Sequence, residues 1–312
     1  MKTHRKNQSR AGFTLMELMV AMAITTIIVT VLVSITSIAT DTWNRSRAEL
    51  RAMRQGKAMV ESMARDFEAL VVRKGNEFEW LSAETPQSMP GGSGGNLESS
   101  NACDLIFFTA ATDRYEGKIG TSTDKGGDVS CVAYKLEYRD PIDAGGSSGS
   151  DFDTFVLNRL LVDPDKTFED LLGQTDLKNA FNSYDSEIEE PENFVCENVY
   201  QFSVVFHIEV TENSGNGATV KNVPIVIGES GGSQVSKSLR ILGNGIESDA
   251  SGSVTDEELA GGRLVAVEIS LTVVSDFGID QIRRRKFSGT QQSEFLAQNS
   301  YQYTKLIQVP GL

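Results

Sequence analysis

The order of apolar and polar positions divides the chain into three stretches, and the first of them is almost wholly apolar. Between Phe13 and Ala39 the only charged residue is Glu17. A bilayer core needs about 20 apolar residues of helix, and Leu18 to Ala39 supplies 22 residues without a charge. Residues 13–39 are therefore predicted to form a transmembrane helix.

Residues 40–73 continue with an amphipathic pattern. Apolar residues recur at steps of three, four and seven, which is typical of one helical face: Leu50, Met53, Val60, Met63, Phe67, Leu70 and Val71. No proline occurs between Phe13 and Val72, so the pattern predicts one continuous helix about 90 Å long, softened only at Gly56. We expect its second half to pack against a globular domain.

The third stretch, residues 74–312, alternates apolar and polar positions with the period of β-strands. The predicted strands are Asp104–Ala110, Val129–Tyr138, Thr154–Val162, Val199–Val210, Leu264–Val273 and Tyr301–Val309. Short helices are predicted near 168–181 and 291–298, Gly/Ser-rich loops at 84–100 and 143–151, and an acidic loop at 185–192. A long helix followed by mostly antiparallel strands indicates an α+β fold with a β-rich globular head.

Charge is distributed unevenly along the chain. Residues 1–12 carry four basic residues and no acid, and their removal would take the formal net charge from −14 to −18. So acidic a chain argues against nucleic-acid binding, which needs basic patches. The basic start before an apolar span favours a cytoplasmic N-terminus, with the acidic head outside the membrane.

The junction between residues 1–12 and the apolar span carries the most specific motif. It reads Gly12-Phe13-Thr14-Leu15-Met16-Glu17, with an acid five residues after the glycine. This motif resembles the N-terminus of type IV prepilins and type II secretion pseudopilins. The resemblance implies that residues 1–12 are a leader, that prepilin peptidase cuts between Gly12 and Phe13, and that Phe13 is N-methylated. It also implies that an N-terminal amine, its own or a neighbour's, neutralises Glu17 during filament assembly.

After the helix, the chain carries strand-like stretches at 132–136, 157–159, 199–202 and 265–269. This order of elements resembles the J-type minor pseudopilins of type II secretion. That resemblance implies a single-pass inner-membrane protein whose head lies in the periplasm and which later enters a periplasmic filament near its tip. The implied partners are prepilin peptidase, other minor and major pseudopilins, the inner-membrane secretion platform and the lipid bilayer. No cofactor is expected.

Several alternatives stay open. The same head could belong to a minor type IV pilin used in adhesion, DNA uptake or pilus initiation. It could also be a ligand-binding module on a pilin-like stalk that uses the loops at 84–100 or 143–151. The apolar stretch could instead be a secretory signal cut after Ser37-Ile38-Ala39, or a plain signal anchor.

Enzymatic chemistry has little support in the sequence. Only His207 would remain after removal of the leader, and we find no nucleophile motif to accompany it. A calcium site is a minor alternative, either in the acidic cluster around Glu189 or in the segment from Asp249 to Asp256. Three cysteines, Cys103, Cys131 and Cys196, leave the disulfide state undetermined. The basic run 283–286 is a docking patch or a solubilising edge.

Overall fold

The structure, a computed structural model, describes residues 13–92, 97–111, 127–142, 153–214, 217–229, 237–249, 254–285 and 290–309. The chain divides into two compact units after Ala48. The second unit contains all the strands listed below.

The dominant helix is α1, which runs from Leu15 to Glu68 without interruption. This confirms the predicted long N-terminal helix, although it begins two residues later and ends four residues earlier than expected. Its C-terminal part buries one face, which consists of Ala52, Gly56, Met59, Val60, Met63, Ala64 and Phe67. Of the predicted stripe, Val60, Met63 and Phe67 lie on this face and Leu70 is buried just beyond the helix, whereas Leu50 is exposed and Met53 and Val71 are only partly buried. The 3.6-residue period of the apolar positions therefore determined which face packs.

The described part of the chain contains seven α-helices and eleven strands. The strands are β1 (Glu79–Glu84), β2 (Asp104–Ala110), β3 (Val129–Arg139), β4 (Thr154–Leu161), β5 (Phe194–Glu197), β6 (Val199–Ser214), β7 (Gly217–Ile227), β8 (Ser238–Leu242), β9 (Gly245–Ser248), β10 (Arg263–Val274) and β11 (Ser300–Gln308). The remaining helices are α2 (Pro164–Lys166, continued by a π-turn over Thr167–Leu171), α3 (Leu177–Phe181), α4 (Asp185–Ile188), α5 (Asp256–Ala260), α6 (Asp276–Arg285) and α7 (Thr290–Asn299).

The strands form two antiparallel sheets. One has seven strands in the order β5-β4-β3-β2-β1-β8-β9, and the other has four in the order β11-β10-β6-β7. All nine strand pairs described are antiparallel. Together with α1, this arrangement confirms the α+β class.

Two apolar cores lie on opposite faces of the seven-stranded sheet. Leu105 and Phe107 of β2 belong to the larger core, which also contains the buried face of α1 and residues of both sheets. Ile106 and Phe108 belong to a smaller core, which is covered by the helical segment 164–193. Because both faces of β2 are buried, its sequence is a continuous apolar run and lacks the alternation of a half-buried strand.

Sequence patterns missed several elements for identifiable reasons. Strands β1, β5, β8 and β9 span only four to six residues, too few for a period to stand out. Strand β7 contains Pro224 and has a largely exposed first half, so it resembles a loop. The predicted acidic loop at 185–192 begins as helix α4. In the predicted loop at 84–100, Leu97 and Ser99 are buried, while the predicted loop at 143–151 lies outside the described residues.

Candidate functional site at the N-terminal helix

The start of α1 is organised by two residues of the predicted motif, Thr14 and Glu17. The Thr14 backbone N–H donates to Oε2 of Glu17 at 2.9 Å, and the Thr14 hydroxyl donates to the same oxygen at 3.0 Å. The Glu17 backbone N–H in turn donates to the Thr14 hydroxyl at 3.2 Å. This reciprocal pattern is a capping box, which satisfies backbone donors that the first helical turn leaves without partners.

The other two motif residues, Gly12 and Phe13, precede this box in the sequence. Phe13 is 88% exposed, and Gly12 lies outside the described residues. The capping box is a feature that the sequence analysis missed, although the spacing Thr-x-x-Glu signals it. Because the local bonds to Glu17 all reach Oε2, the carboxylate keeps accepting capacity for a second donor, such as an ammonium group.

The apolar part of α1 satisfies its few polar side chains internally. The hydroxyls of Thr26, Thr30 and Ser34 donate to the carbonyl oxygens four residues earlier, at 2.8, 2.8 and 2.9 Å. Its large apolar side chains are exposed, with Ile24, Ile28 and Leu32 each more than half accessible. A segment with satisfied polar groups and an apolar surface suits a bilayer, and its length and hydropathy meet the criteria for a membrane span.

The C-terminal part of α1 is fixed to the seven-stranded sheet by a charged cluster. The guanidinium group of Arg159 donates to both carboxylate oxygens of Asp66, at 2.9 and 3.0 Å. Tyr134 donates its phenolic proton to the same carboxylate. Burial, with help from the neighbouring Asp66, raises the pKa of Tyr134 well above its usual value. The phenol therefore stays a neutral donor at physiological pH.

Gly56 allows α1 to approach the four-stranded sheet closely. A Cβ atom at this position would lie 2.8 and 2.9 Å from two ring atoms of Tyr303 and 3.1 Å from Val273. The sequence analysis interpreted Gly56 only as a soft point in the helix. The structure gives it a packing role, because no larger residue fits without displacing the Tyr303 ring.

The remaining candidate residues lie elsewhere in the head. Nε2 of His207 is 3.6 Å from the carboxylate of Glu268 across the four-stranded sheet. Two acids of the acidic cluster are in ion pairs: Glu189 lies 2.9 Å from Lys135, and Glu187 lies 3.8 Å from Lys166. Among the described residues, no group of three or more His, Cys, Asp or Glu side chains is arranged to hold a metal ion.

The basic run and the cysteines also have defined positions. Arg284 pairs with Asp280 at 2.9 Å within α6, and position 286 lies outside the described residues. Cys103, Cys131 and Cys196 are buried and form no disulfide. Burial raises the pKa of the Cys196 thiol to about 12, so this side chain behaves as a small apolar group.

Comparison with known proteins supports the N-terminal methylation motif but identifies no more specific family. Residues 7–33 match the family described as the prokaryotic N-terminal methylation motif. No match to a curated protein or to a solved structure was found. The matched residues include Gly12, Phe13 and Glu17 and reach well into the apolar span. The motif, the membrane-length helix and the antiparallel head together support a membrane-anchored, type IV pilin-like protein.

Proposed function

We propose that this chain is a minor pseudopilin of a type II secretion-like filament. The observation that carries the proposal is the methylation motif at residues 7–33, in register with the self-capped Glu17 and with a helix that runs from Leu15 to Glu68. A pilin-like subunit needs a helix of this kind, one half for the membrane or filament core and one half to hold the head.

The proposed mechanism is assembly. Prepilin peptidase removes residues 1–12, Phe13 becomes the methylated N-terminus, and the mature subunit leaves the bilayer to join the filament. An N-terminal amine then meets Glu17, whose carboxylate would otherwise be costly in an apolar setting. Other pseudopilins, the inner-membrane platform and the lipid bilayer are the partners of these steps.

The size of the head supports a position at or near the filament tip. The second compact unit extends from Glu49 to Leu312 and carries two sheets. A repeating shaft subunit must leave room for a neighbour on every side, whereas a tip subunit tolerates bulk. Formation of long homopolymers by this chain alone would contradict the tip position.

A minor type IV pilin is the second candidate, because the methylation motif is shared by both classes. Its head would then serve adhesion, DNA uptake or pilus initiation. The genetic setting discriminates the two. Neighbouring genes for a secretin-type export system, and loss of protein export when the gene for this chain is deleted, support the pseudopilin. Neighbouring genes for a retraction motor, and loss of pilus functions on the same deletion, support the pilin.

The first experiment measures the mass of the N-terminal peptide from membranes with and without prepilin peptidase. A peptide that begins at methylated Phe13 only when the peptidase is present supports the proposal. Gly12→Val should block cleavage, whereas the matched control Ala11→Val should leave it intact. A peptide that retains residues 1–12 in both strains, or that begins at Thr40, contradicts the proposal.

A second experiment tests the assembly role of Glu17. Glu17→Gln should be cleaved normally, yet its recovery in sheared filaments should fall at least tenfold. The control is Glu258→Gln, because Glu258 forms the same capping box with Thr255 at the start of α5 but belongs to the head. Equal loss of assembly in both variants would attribute the effect to helix capping and would count against a special role for Glu17.

A further inference from the structure

The two sheets have four edge strands, and three of these edges are protected. Strands β5 and β9 are only four residues long. Helix α5 also abuts the start of β9, since a Cβ on Gly245 would lie 2.7 Å from the carbonyl oxygen of Ala260. Short and covered edges of this kind resist pairing with other chains.

The third protected edge is β7, which carries Lys221 and Pro224. Pro224 stands opposite His207 in the ladder with β6. Proline has no backbone N–H, so it interrupts the row of donors that another strand would need. Lysine and proline on an edge strand are common protections against edge-to-edge association.

The fourth edge, β11, lacks the short length, the covering helix and the proline that protect the other edges, in the part of the chain that the structure describes. It is nine residues long, contains no proline and carries one charge, Lys305. Leu306 on its outer face is 58% exposed. Long, flat edges with exposed apolar side chains are templates for strand addition.

The hydrogen-bonding register shows which groups of β11 are open. The Val309 N–H donates to the carbonyl of Val265, its opposite residue, so odd-numbered residues of β11 bond to β10 and even-numbered ones point away. The outward N–H and C=O groups belong to Gln302, Thr304, Leu306 and Gln308. Among the described residues these backbone groups have no hydrogen-bond partner.

We propose that β11 pairs with β11 of a second copy of this chain, antiparallel about Thr304, and so joins two four-stranded sheets into one. The edge is self-complementary in this register, as an isologous contact requires. Thr304 meets Thr304, Tyr303 meets Lys305, and Tyr301 meets Ile307. Aromatic–β-branched and Thr–Thr cross-strand pairs are favourable.

The two neighbouring registers are less favourable for pairing. Centring the pair on Lys305 would place two lysines opposite each other, and like charges directly opposite destabilise a sheet. Centring it on Tyr303 would leave Ile307 and Gln308 unpaired at each end. Only the register about Thr304 pairs all nine residues from Ser300 to Gln308.

Membrane anchoring makes so small a contact effective. A single strand edge buries much less than the roughly 1,600 Å² of a standard interface, so we expect weak pairing in dilute detergent. The apolar span of α1 holds copies in one bilayer, which raises their effective concentration. The inference does not depend on the filament role, so the two can fail separately.

The test uses the full-length protein in vesicles of phosphatidylethanolamine and phosphatidylglycerol. Thr304→Cys is treated with a short bis-maleimide, and the three native cysteines do not compete because each is at most 1% exposed. We expect a crosslinked dimer. The matched control is Asn222→Cys, an exposed position on the proline-protected β7, which should stay monomeric.

A second measurement uses sedimentation equilibrium in detergent, at protein concentrations high enough for the unsubstituted chain to dimerise. Thr304→Lys places two lysines opposite each other and should weaken dimerisation at least tenfold, whereas Thr304→Val keeps the backbone donor and should not. Thr304 is an exposed edge site, so neither change should unfold the head, which circular dichroism verifies. Crosslinking at Thr304→Cys no stronger than at Asn222→Cys, or dimerisation unchanged by Thr304→Lys, overturns the proposal.

Discussion

The two parts of α1 have the same backbone structure and opposite surroundings. In the apolar part, side chains such as Ile28 are about half exposed, whereas Met63 and Phe67 in the amphipathic part are fully buried. Helical hydrogen bonds are local and form in either setting. The difference therefore arises from the side chains: one part offers an apolar surface on all sides, which suits lipid, and the other a stripe, which suits a protein core.

The two parts of α1 also differ in where their acidic side chains find hydrogen-bond partners. Glu17 is satisfied by Thr14, three residues away. Asp66 is satisfied by Tyr134 and Arg159, which lie 68 and 93 residues away on the sheet. The first arrangement exists as soon as a helical turn forms, while the second requires the folded head. We therefore expect substitutions in the amphipathic part to change the stability of the head, and substitutions in the apolar part to change membrane insertion.

The largest expected effect is on the packed part. Phe67→Ala should destabilise the head by about 4 kcal/mol, because deletion of a buried aromatic side chain leaves a cavity, and the Phe67 ring also stacks on Phe107 at 4.4 Å. Urea unfolding followed by tryptophan fluorescence measures the change. Ile28→Ala in the apolar part is the control and should leave the unfolding curve unchanged. An equal effect of both substitutions would refute the contrast.

The charged cluster gives the next largest effect. Asp66→Ala should destabilise the head by about 3 kcal/mol, because removal of one partner leaves a largely buried arginine without its counter-ion. Urea unfolding again provides the measurement. Lys57→Ala serves as the comparison, since its 4.0 Å pair with Glu61 is exposed and such pairs contribute little. A loss below about 1 kcal/mol for Asp66→Ala would show that the cluster does not fasten the helix.

A charge in the apolar part tests the other half of the comparison. Ile28→Arg should disfavour membrane insertion by about 3 kcal/mol while leaving urea unfolding of the head unchanged. Carbonate extraction of membranes, compared with Ile28→Leu, measures the inserted fraction. Normal insertion of Ile28→Arg would mean that this part does not span the bilayer.

The smallest predicted effect concerns Gly56. Gly56→Ala gains about 1 kcal/mol of helix propensity but forces the Tyr303 ring away, and overpacking of this kind costs about 1–3 kcal/mol. We expect a net destabilisation near 1 kcal/mol. In a Tyr303→Ala background the same substitution should become stabilising, which a double-mutant cycle detects. The same sign in both backgrounds would show that the contact does not matter.

Long, strongly periodic segments were predictable from the sequence, and short ones were not. Strand β10 was located within one residue of its ends, because its alternation extends over 12 residues. The ends of β2 were also predicted, because its apolar residues form a continuous run. Strand β5 and strands β8 and β9 became strands only by pairing with distant neighbours. The acidic loop likewise acquired order from ion pairs such as that of Glu189 with Lys135, which no local pattern reveals.

The candidate site follows the same division. The motif around Gly12, Phe13 and Glu17 was legible from the sequence because its parts are adjacent, and Thr14 could have been added from the Thr-x-x-Glu spacing alone. The packing role of Gly56 could not be predicted from the sequence. The local sequence around a helical glycine does not show whether the glycine weakens the helix or allows a close contact with another element. The sequence analysis did not single out Asp66, because its partners Tyr134 and Arg159 are 68 and 93 residues away in the chain.

By itself the sequence determined what depends on neighbours along the chain: the apolar span, the long helix, the self-capped Glu17 and the strand period of the head. Only the tertiary structure decided which polar side chains meet, which glycine lies at a helix–sheet contact and which strand edge stays open. Those features depend on pairs of residues far apart in the chain, whose contact lowers the free energy only after the sheets have formed.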